Sequence, residues 1–191
     1  MQTALQQLPA SHASDALVAH STVPSRAAER APVAMPREFL SFRLGAEEYG
    51  INILTVQEIR SYEAPTRIAN APAFVLGVVN LRGVIVPIID LRLKLGCSSA
   101  EFNDFTVVIV LSVLDRVIGV VVDSVSDVLE IQPKDIKPAP AMASAVDASH
   151  IMGMGCLRNG DEQRLLILTD IQALMQSPEM GLFNAPPTLL S

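Results

Sequence analysis

Apolar and polar residues alternate along much of the chain after residue 36, which is the pattern of half-buried β-strands. In Glu38–Leu44, every second residue from Leu40 onward is apolar. Glycine and acidic residues at 45–48 are suited to a turn, and alternation resumes over Tyr49–Ile53. The two segments predict a β-hairpin.

Two more hairpins are predicted further along the chain. Phe105–Ser112 and Val117–Val122 are short β-branched runs separated by polar residues. Ile151–Arg158 and Arg164–Leu168 flank Asn159-Gly160, a dipeptide that favours tight hairpin turns. Strands joined by short turns therefore account for most of the pattern.

Two segments between these hairpins are less regular. Leu54–Arg60 fits both the helical and the strand spacing of apolar residues. Val84–Ile89 is a β-branched run interrupted by Pro87, which lacks the N–H that a β-ladder needs. We therefore expect this strand to lie at a sheet edge or to carry a bulge at the proline.

The two ends of the chain differ from its middle. Residues 1–36 are rich in Ala, Ser and Gln and contain four prolines, so they are predicted to be a disordered tail. Residues 184–191 form a second, short tail. A short helix is predicted over Ile171–Gln176, with Thr169 or Asp170 as its N-cap.

Two halves of the middle region share one order of features. An apolar, an acidic and an apolar residue follow a glycine at the same offsets in both; the sets are Gly50, Val56, Glu58, Ile59 and Gly119, Val125, Asp127, Val128. Chance similarity of two hairpins is one explanation. Duplication is the other, and it predicts two small β-barrels of roughly five strands each within residues 37–183, with a boundary near 95–104.

Composition narrows the fold and the class of function. Hydrophobic residues make up 50% of the chain, aromatic residues only 4%, and Trp is absent, so Val, Ile and Leu must fill the core of an all-β fold. The net charge of −6 repels phosphate backbones and argues against a nucleic-acid partner, which leaves a nucleic-acid-binding β-barrel as a disfavoured alternative.

Candidate chemistry is sparse. Two of the three histidines lie in the N-terminal tail, and His150 has no neighbour in sequence at a metal-ligand spacing. Gly153-Met154-Gly155 lacks the third glycine of a dinucleotide-binding motif. Cys97 and Cys156 are expected to be separate, buried and reduced thiols of a cytoplasmic protein. No enzymatic activity, metal or cofactor is predicted, and no membrane insertion, because no apolar run approaches the ~20 residues of a membrane span.

Four motifs together are specific. NLRGVIVPIIDLR at 80–92, VQEIR at 56–60, YGINI at 49–53 and VVDSVSDVL at 121–129 resemble the CheW family of chemotaxis coupling proteins. The resemblance runs from about Glu38 to Phe183. It implies two five-stranded SH3-like β-barrels with a C-terminal helix packed against them.

The resemblance also implies a function. Such a protein is a non-catalytic adaptor that couples the cytoplasmic tips of methyl-accepting chemoreceptors to the regulatory domain of the histidine kinase CheA. It is expected in the cytoplasm, at membrane-associated chemoreceptor arrays. A scaffold for another receptor–kinase system, such as one for surface motility, is the alternative that these motifs leave open.

Four receptor-binding residues follow from the resemblance: Val56, Glu58, Arg82 and Val128. The two valines are interpreted as equivalent in the repeat and as apolar contacts for a receptor helix in a groove between the barrels. Glu58 is expected to orient Arg82 as its counter-ion. From the residues alone, core packing is favoured for the valines, and a solvated turn residue is an equal alternative for Arg82.

Four neighbouring residues are predicted to hold Arg82 in place rather than to bind. Asn80 and Gly83 suit a turn with positive φ, and Asp90 is expected to cap a turn at Leu91–Leu95. Pro87 lies in the same motif. No kinase-binding face is predicted.

Overall fold

The computed structural model describes residues 37–97, 100–139, 149–159 and 162–177. Their eleven strands are β1 Arg37–Leu44, β2 Glu47–Asn52, β3 Val56–Ser61, β4 Val75–Leu81, β5 Val84–Asp90, β6 Val107–Val113, β7 Arg116–Val122, β8 Ser124–Ile131, β9 Ile136–Lys137, β10 Ile151–Asn159 and β11 Glu162–Thr169. Two short helices are α1 Leu91–Lys94 and α2 Ile171–Gln176, and 3-10 turns span Ile53–Thr55 and Pro133–Asp135. The predicted tails and the turn apex at Gly160 lie outside the described residues.

The strands form two sheets of matching topology. Sheet A has the order β8-β1-β2-β11-β10-β9, and sheet B has the order β3-β6-β7-β5-β4. Each contains one parallel pair, β2 with β11 in sheet A and β7 with β5 in sheet B. The all-β fold of two SH3-like barrels is confirmed, as are the three predicted hairpins.

Glycines at equivalent places show that the two sheets are copies of one plan. Gly50 lies opposite Leu168 in one parallel pair, and Gly119 lies opposite Ile88 in the other. A Cβ on Gly50 would come within 2.8 Å of the Leu166 side chain, and one on Gly119 within 2.5 Å of Ile88. Only glycine allows the side chains of the neighbouring strand to approach this closely at both places.

The two copies exchange strands. Sheet A takes β1 and β2 from the first copy and β8, β10 and β11 from the second, whereas sheet B takes β3, β4 and β5 from the first and β6 and β7 from the second. The edge of β2 that does not face β1 pairs with β11 of the second copy, and β3 pairs with β6 of the second copy. Each sheet therefore contains strands from both sides of the predicted boundary near 95–104.

Three apolar clusters fill this arrangement. The largest lies between the sheets and combines residues of β1 and β2 with residues of β5, β6, β7 and α2. A second cluster lies within sheet B, and a third lies within sheet A. Both faces of β1 are covered, so Ser41 is buried together with the apolar residues beside it. The Ser41 hydroxyl oxygen accepts a hydrogen bond from the Asp127 N–H at 3.1 Å.

Pro87 lies in an interior strand, contrary to the expected edge position. β5 pairs with β4 on one side and with β7 on the other. Opposite Pro87, the N–H and C=O of Val78 both bond to Thr66 rather than to β5. Pairing with β7 starts one residue later, at Ile88. The proline is tolerated because no ladder bond requires its missing N–H, and the bulge lies on β4, between Val75 and Gly77.

Both helices begin at an aspartate. Asp90 caps α1 by accepting a hydrogen bond from the Arg92 N–H, and Asp170 caps α2 by accepting from the N–H groups of Gln172 and Ala173. Of the two candidates for the α2 cap, the structure selects Asp170. Among the described residues, no helix is long and apolar enough to cross a membrane.

Candidate functional site

Arg82 occupies the first position of the two-residue turn between β4 and β5. Leu81 pairs with Val84 across the turn, and Arg82 and Gly83 have φ values of +53° and +88°. The Asn80 side-chain oxygen accepts a hydrogen bond from the Gly83 N–H at 2.8 Å. Positive φ at both central residues makes this the hairpin turn in which Asn-Gly is the usual pair.

An arginine is an unusual residue for this turn. Left-handed backbone costs a non-glycine residue about 1–2 kcal/mol, and the cost is least for glycine and small polar residues. The Arg82 side chain is nevertheless 81% exposed, so burial does not offset that cost. The residue is therefore better explained by what its guanidinium contacts than by what its backbone stabilises.

The predicted pairing of Glu58 with Arg82 is present. Arg82 Nη2 donates to Glu58 Oε2 at 2.9 Å, and Arg60 Nη1 lies 3.7 Å from Glu58 Oε1. Because the pair is exposed, its contribution to stability is no more than about 1 kcal/mol. It orients a guanidinium that is otherwise exposed, so its remaining N–H groups are available to a partner.

The two predicted valines are in different environments. Val56, in β3, is partly buried against the cluster between the sheets. Val128, in β8, is 52% exposed. β3 and β8 are the edge strands at equivalent ends of the two sheets. Val56 is thus partly a packing residue, whereas Val128 presents half of its side chain to solvent.

Val56 and Val128 are not equivalent in the repeat, contrary to the interpretation from sequence. Val56 pairs with Leu111 and Val125 pairs with Phe42, each immediately before a bulge. After the bulge, Ile59 pairs with Ile109 as Val128 pairs with Leu40. The structural counterpart of Val128 is therefore Ile59, and that of Val56 is Val125, in agreement with the offsets from Gly50 and Gly119.

Two exposed apolar residues near these strands were missed from sequence. Ile59 is 45% exposed beside Glu58, and Leu54 is 87% exposed in the 3-10 turn that carries the chain from sheet A to sheet B. The repeat offsets contain the signal for Ile59, because it matches Val128. Nothing in the sequence distinguishes an exposed Leu54 from a buried one.

The four supporting residues divide into two pairs. Asn80 and Gly83 build the turn that presents Arg82, as predicted, although the positive φ falls on Arg82 and Gly83 rather than on Asn80. Pro87 and Asp90 belong to β5. Asp90 is fully buried at the other end of that strand, so it does not hold Arg82 in place.

Features of a catalytic centre are scarce in the parts of the chain that the structure describes. No group of three or more His, Cys, Asp or Glu is arranged to hold a metal ion there. Cys97 and Cys156 are free, partly buried thiols. A cleft of about 510 Å³ opens between β3 and β4 and is lined by apolar side chains and by polar residues that include Arg60, Glu63 and Asn80.

Comparison with known proteins agrees with this description. Residues 38–179 match the family model of the CheW-like domain. Over 148 residues the chain is 53% identical to the chemotaxis protein CheW of Klebsiella aerogenes, covering 78% of this chain and 87% of that protein. It is 40% identical to the chemotaxis protein CheW of Rhizobium meliloti over 143 residues, which cover 75% of this chain and 90% of that protein. The crystal structure of the scaffolding protein TtCheW from Thermoanaerobacter tengcongensis superposes with a TM-score of 0.66 at 28% identity, covering 75% of this chain and 95% of that one.

Proposed function

The chain belongs to the CheW family, and from this membership we propose that it couples the cytoplasmic tips of chemoreceptors to the histidine kinase CheA. Its general role is that of a chemotaxis coupling adaptor. The identity of the two partners is the proposed part. The adaptor is further proposed to lack catalytic activity and to act on the cytoplasmic side of the membrane, at receptor arrays.

One observation on this chain carries the proposal: Arg82 is held, exposed, on a turn whose backbone disfavours it. A receptor tip is a helical hairpin, and a guanidinium has several donors for the carboxylates and end carbonyls of such helices. Glu58 keeps the guanidinium on the β3 side of the turn. We assign Arg82 and Glu58 to the polar part of a receptor-binding surface.

Val56 and Val128 supply the apolar part in this proposal. An amphipathic receptor helix needs an apolar surface to pack against, and the exposed half of Val128 offers one on sheet A. Val56 contributes less area because it also packs against the cluster between the sheets. The surface is proposed to be shared by both sheets, which makes residues 37–183 one functional domain and leaves residues 1–36 and 184–191 outside it.

Reconstitution with purified receptor tips and kinase tests the proposal. The full-length chain is expected to co-sediment with receptor tips and CheA as a ternary complex. Arg82→Ala is expected to reduce the yield of that complex several-fold with an unchanged circular dichroism spectrum, and Arg82→Lys to recover part of it, because lysine keeps the charge but not the forked donors. Many weak contacts act together in such assemblies, so a several-fold effect from one side chain is reasonable.

Two results would count against the proposal. If the unmodified chain fails to form the ternary complex, the assignment of partners is wrong. If Arg82→Ala assembles as well as the unmodified chain, the assignment of the residue is wrong. Co-purification of the tagged full-length chain from its own cytoplasm then identifies the actual partners, including the receptor and kinase of a motility system if that is where the adaptor acts.

A further inference from the structure

Among the residues that the structure describes, Arg92 is the largest side chain that is completely buried. It lies in α1, directly after sheet B strand β5, and is 1% exposed. Its Nε and Nη2 donate to the two carboxylate oxygens of Asp90 at 3.0 and 2.7 Å. Its Nη1 donates to the Glu101 carbonyl at 2.5 Å, and the guanidinium carbon lies 4.8 Å from the centre of the Phe102 ring. A buried cation needs partners of this kind on every side.

Asp123 connects this cluster to the other sheet. It is the residue between β7 of sheet B and β8 of sheet A, where the chain crosses from one sheet to the other. Its Oδ1 accepts from Arg92 Nη1 at 2.8 Å, and its Oδ2 accepts from the Gly45 N–H, in the turn between β1 and β2, at 2.6 Å. Its own N–H donates to the Arg43 carbonyl at 3.1 Å. One carboxylate thus joins a guanidinium of sheet B to a hairpin turn of sheet A.

The counterparts of Arg92 and Asp123 in the duplicated plan, which lie next to strands of sheet A, are different residues. Leu54 stands four residues after Gly50, as Asp123 stands four residues after Gly119, and Leu54 is exposed and apolar. Gln172 stands two residues after the capping Asp170, as Arg92 stands two after Asp90, and it is exposed. The ion pair is therefore a feature of one crossover and not a consequence of the duplicated plan.

The energetics make this contact sensitive to change. Burial acts to lower the pKa of Arg92, but its hydrogen bonds to Asp90 and Asp123 and their charges outweigh burial and raise it above the ordinary value. The guanidinium therefore stays charged. Removing one partner of a buried ion pair leaves the other desolvated and unpaired, which is strongly unfavourable. A change in the position of sheet A against sheet B would stretch these contacts, so the cluster suits an element that fixes geometry.

We propose that Arg92 and Asp123 are positioning residues that set the orientation of sheet A against sheet B. The orientation matters because Val128 lies on sheet A whereas Val56, Glu58 and Arg82 lie on sheet B. A receptor that contacts all four requires one spacing between the two sheets. The functional part of this inference rests on the proposed receptor binding, whereas the structural part does not.

Distances between spin labels test the structural part. In a full-length background with Cys97→Ser and Cys156→Ser, labels at Gln57→Cys of β3 and Glu130→Cys of β8 report on the spacing of the two sheets; both positions are exposed. Labels at Gln57→Cys of β3 and Asp115→Cys of the turn that joins β6 to β7, both strands of sheet B, are the control pair. Asp123→Ala is expected to shift or broaden the distance distribution of the first pair and to leave the control pair unchanged. Asp123→Glu is expected to recover part of the original distribution.

Hydrogen exchange provides a second measurement that does not depend on labels. The Gly45 amide is expected to lose protection in Asp123→Ala, while amides in the centres of β6 and β7 keep theirs. Should Asp123→Ala not fold, Asp123→Asn replaces it, because asparagine retains one acceptor oxygen and the shape of the side chain. Unchanged label distances between the sheets, together with an unchanged Gly45 amide, would overturn the proposal.

The functional part of the proposal, that the orientation of the sheets affects receptor binding, is tested by the yield of the ternary complex. Asp123→Asn is expected to lower the yield of the ternary complex several-fold, although Asp123 is not among the residues assigned to receptor contact. If the label distances change but assembly does not, the two residues set the orientation of the sheets without affecting binding, and the functional part is wrong. If the unmodified chain does not assemble, the proposed partners are wrong, and the label distances still decide the structural part.

Discussion

Arg82 and Glu58, which are 24 positions apart, form an ion pair of 2.9 Å between a hairpin turn and an edge strand of the same sheet. The pair joins two motifs, NLRG and VQEIR, that are separate in sequence. Their meeting explains why an arginine occupies a left-handed position where glycine or asparagine would be less costly. The relationship allows the stability of the turn to be separated experimentally from its function.

Replacing Arg82 by glycine or by alanine should separate these two roles. Both changes remove the guanidinium, so both should weaken receptor coupling to the same degree. Glycine adopts the +53° φ freely and alanine does not, so Arg82→Gly should exceed Arg82→Ala in free energy of unfolding by about 1 kcal/mol. Urea denaturation of the two variants measures the difference. Equal stability of the two would show that the backbone at this turn carries no strain.

The two valines should respond differently to the isosteric change Val→Thr. Val56 packs against the cluster between the sheets, so Val56→Thr should lower the free energy of unfolding by about 1 kcal/mol. Val128 is half exposed, so Val128→Thr should change it by less than about 0.5 kcal/mol while weakening assembly with receptor tips. Thermal unfolding and co-sedimentation of both variants provide the comparison. A large loss of stability in Val128→Thr would make that residue a core residue instead.

Gly77 should tolerate alanine poorly because β4 passes close to another segment there. A Cβ on Gly77 would lie 2.1 Å from the carbonyl oxygen of Thr66, whose backbone exchanges two hydrogen bonds with Val78. With φ at +147°, the backbone is also outside the range that alanine prefers. We expect Gly77→Ala to destabilise the protein by more than about 2 kcal/mol.

Gly83 is the matched control for this change. Its φ is +88°, but a Cβ there meets nothing within 4 Å, so Gly83→Ala should cost only about 1 kcal/mol. Comparing urea midpoints isolates the effect of the close approach from that of the positive φ. Similar losses in the two variants would mean that Thr66 moves aside without cost.

Stability should fall at alkaline pH. Burial raises the pKa of the Cys97 thiol above its ordinary value of 9.0, and burial, with a smaller effect of Glu47, raises that of Tyr49 above 10.0. As pH rises through these ordinary values, the unfolded chain loses its protons first, so the folded state holds more protons and the free energy of unfolding decreases. The stabilisation is complete below about pH 8.

Urea titrations at about pH 7.5, 9 and 10.5 measure this dependence. Cys97→Ser removes the thiol and should make the curve flatter in both intervals, chiefly above pH 9, whereas Tyr49→Phe should affect mainly the last interval. A free energy of unfolding that is constant across the range would contradict the raised pKa values of both groups.

The sequence by itself determined the elements and the duplicated plan. Alternation in Leu40–Leu44 and Tyr49–Ile53 located the first hairpin, and glycine offsets matched Glu58 to Asp127. These features are local, because the side-chain period of a strand and the chemistry of a turn depend on neighbouring residues alone. The pairing of Glu58 with Arg82 also followed, although only through the family resemblance.

Only the tertiary structure decided which strand edges pair. β3 joins β6 rather than β2, and Pro87 lies in an interior strand. An alternating pattern states which face of a strand is apolar but not which edge receives its hydrogen bonds, because edge pairing joins residues distant in the chain. For the same reason the buried contact of Arg92 with Asp123 exists only once two sheets have exchanged strands.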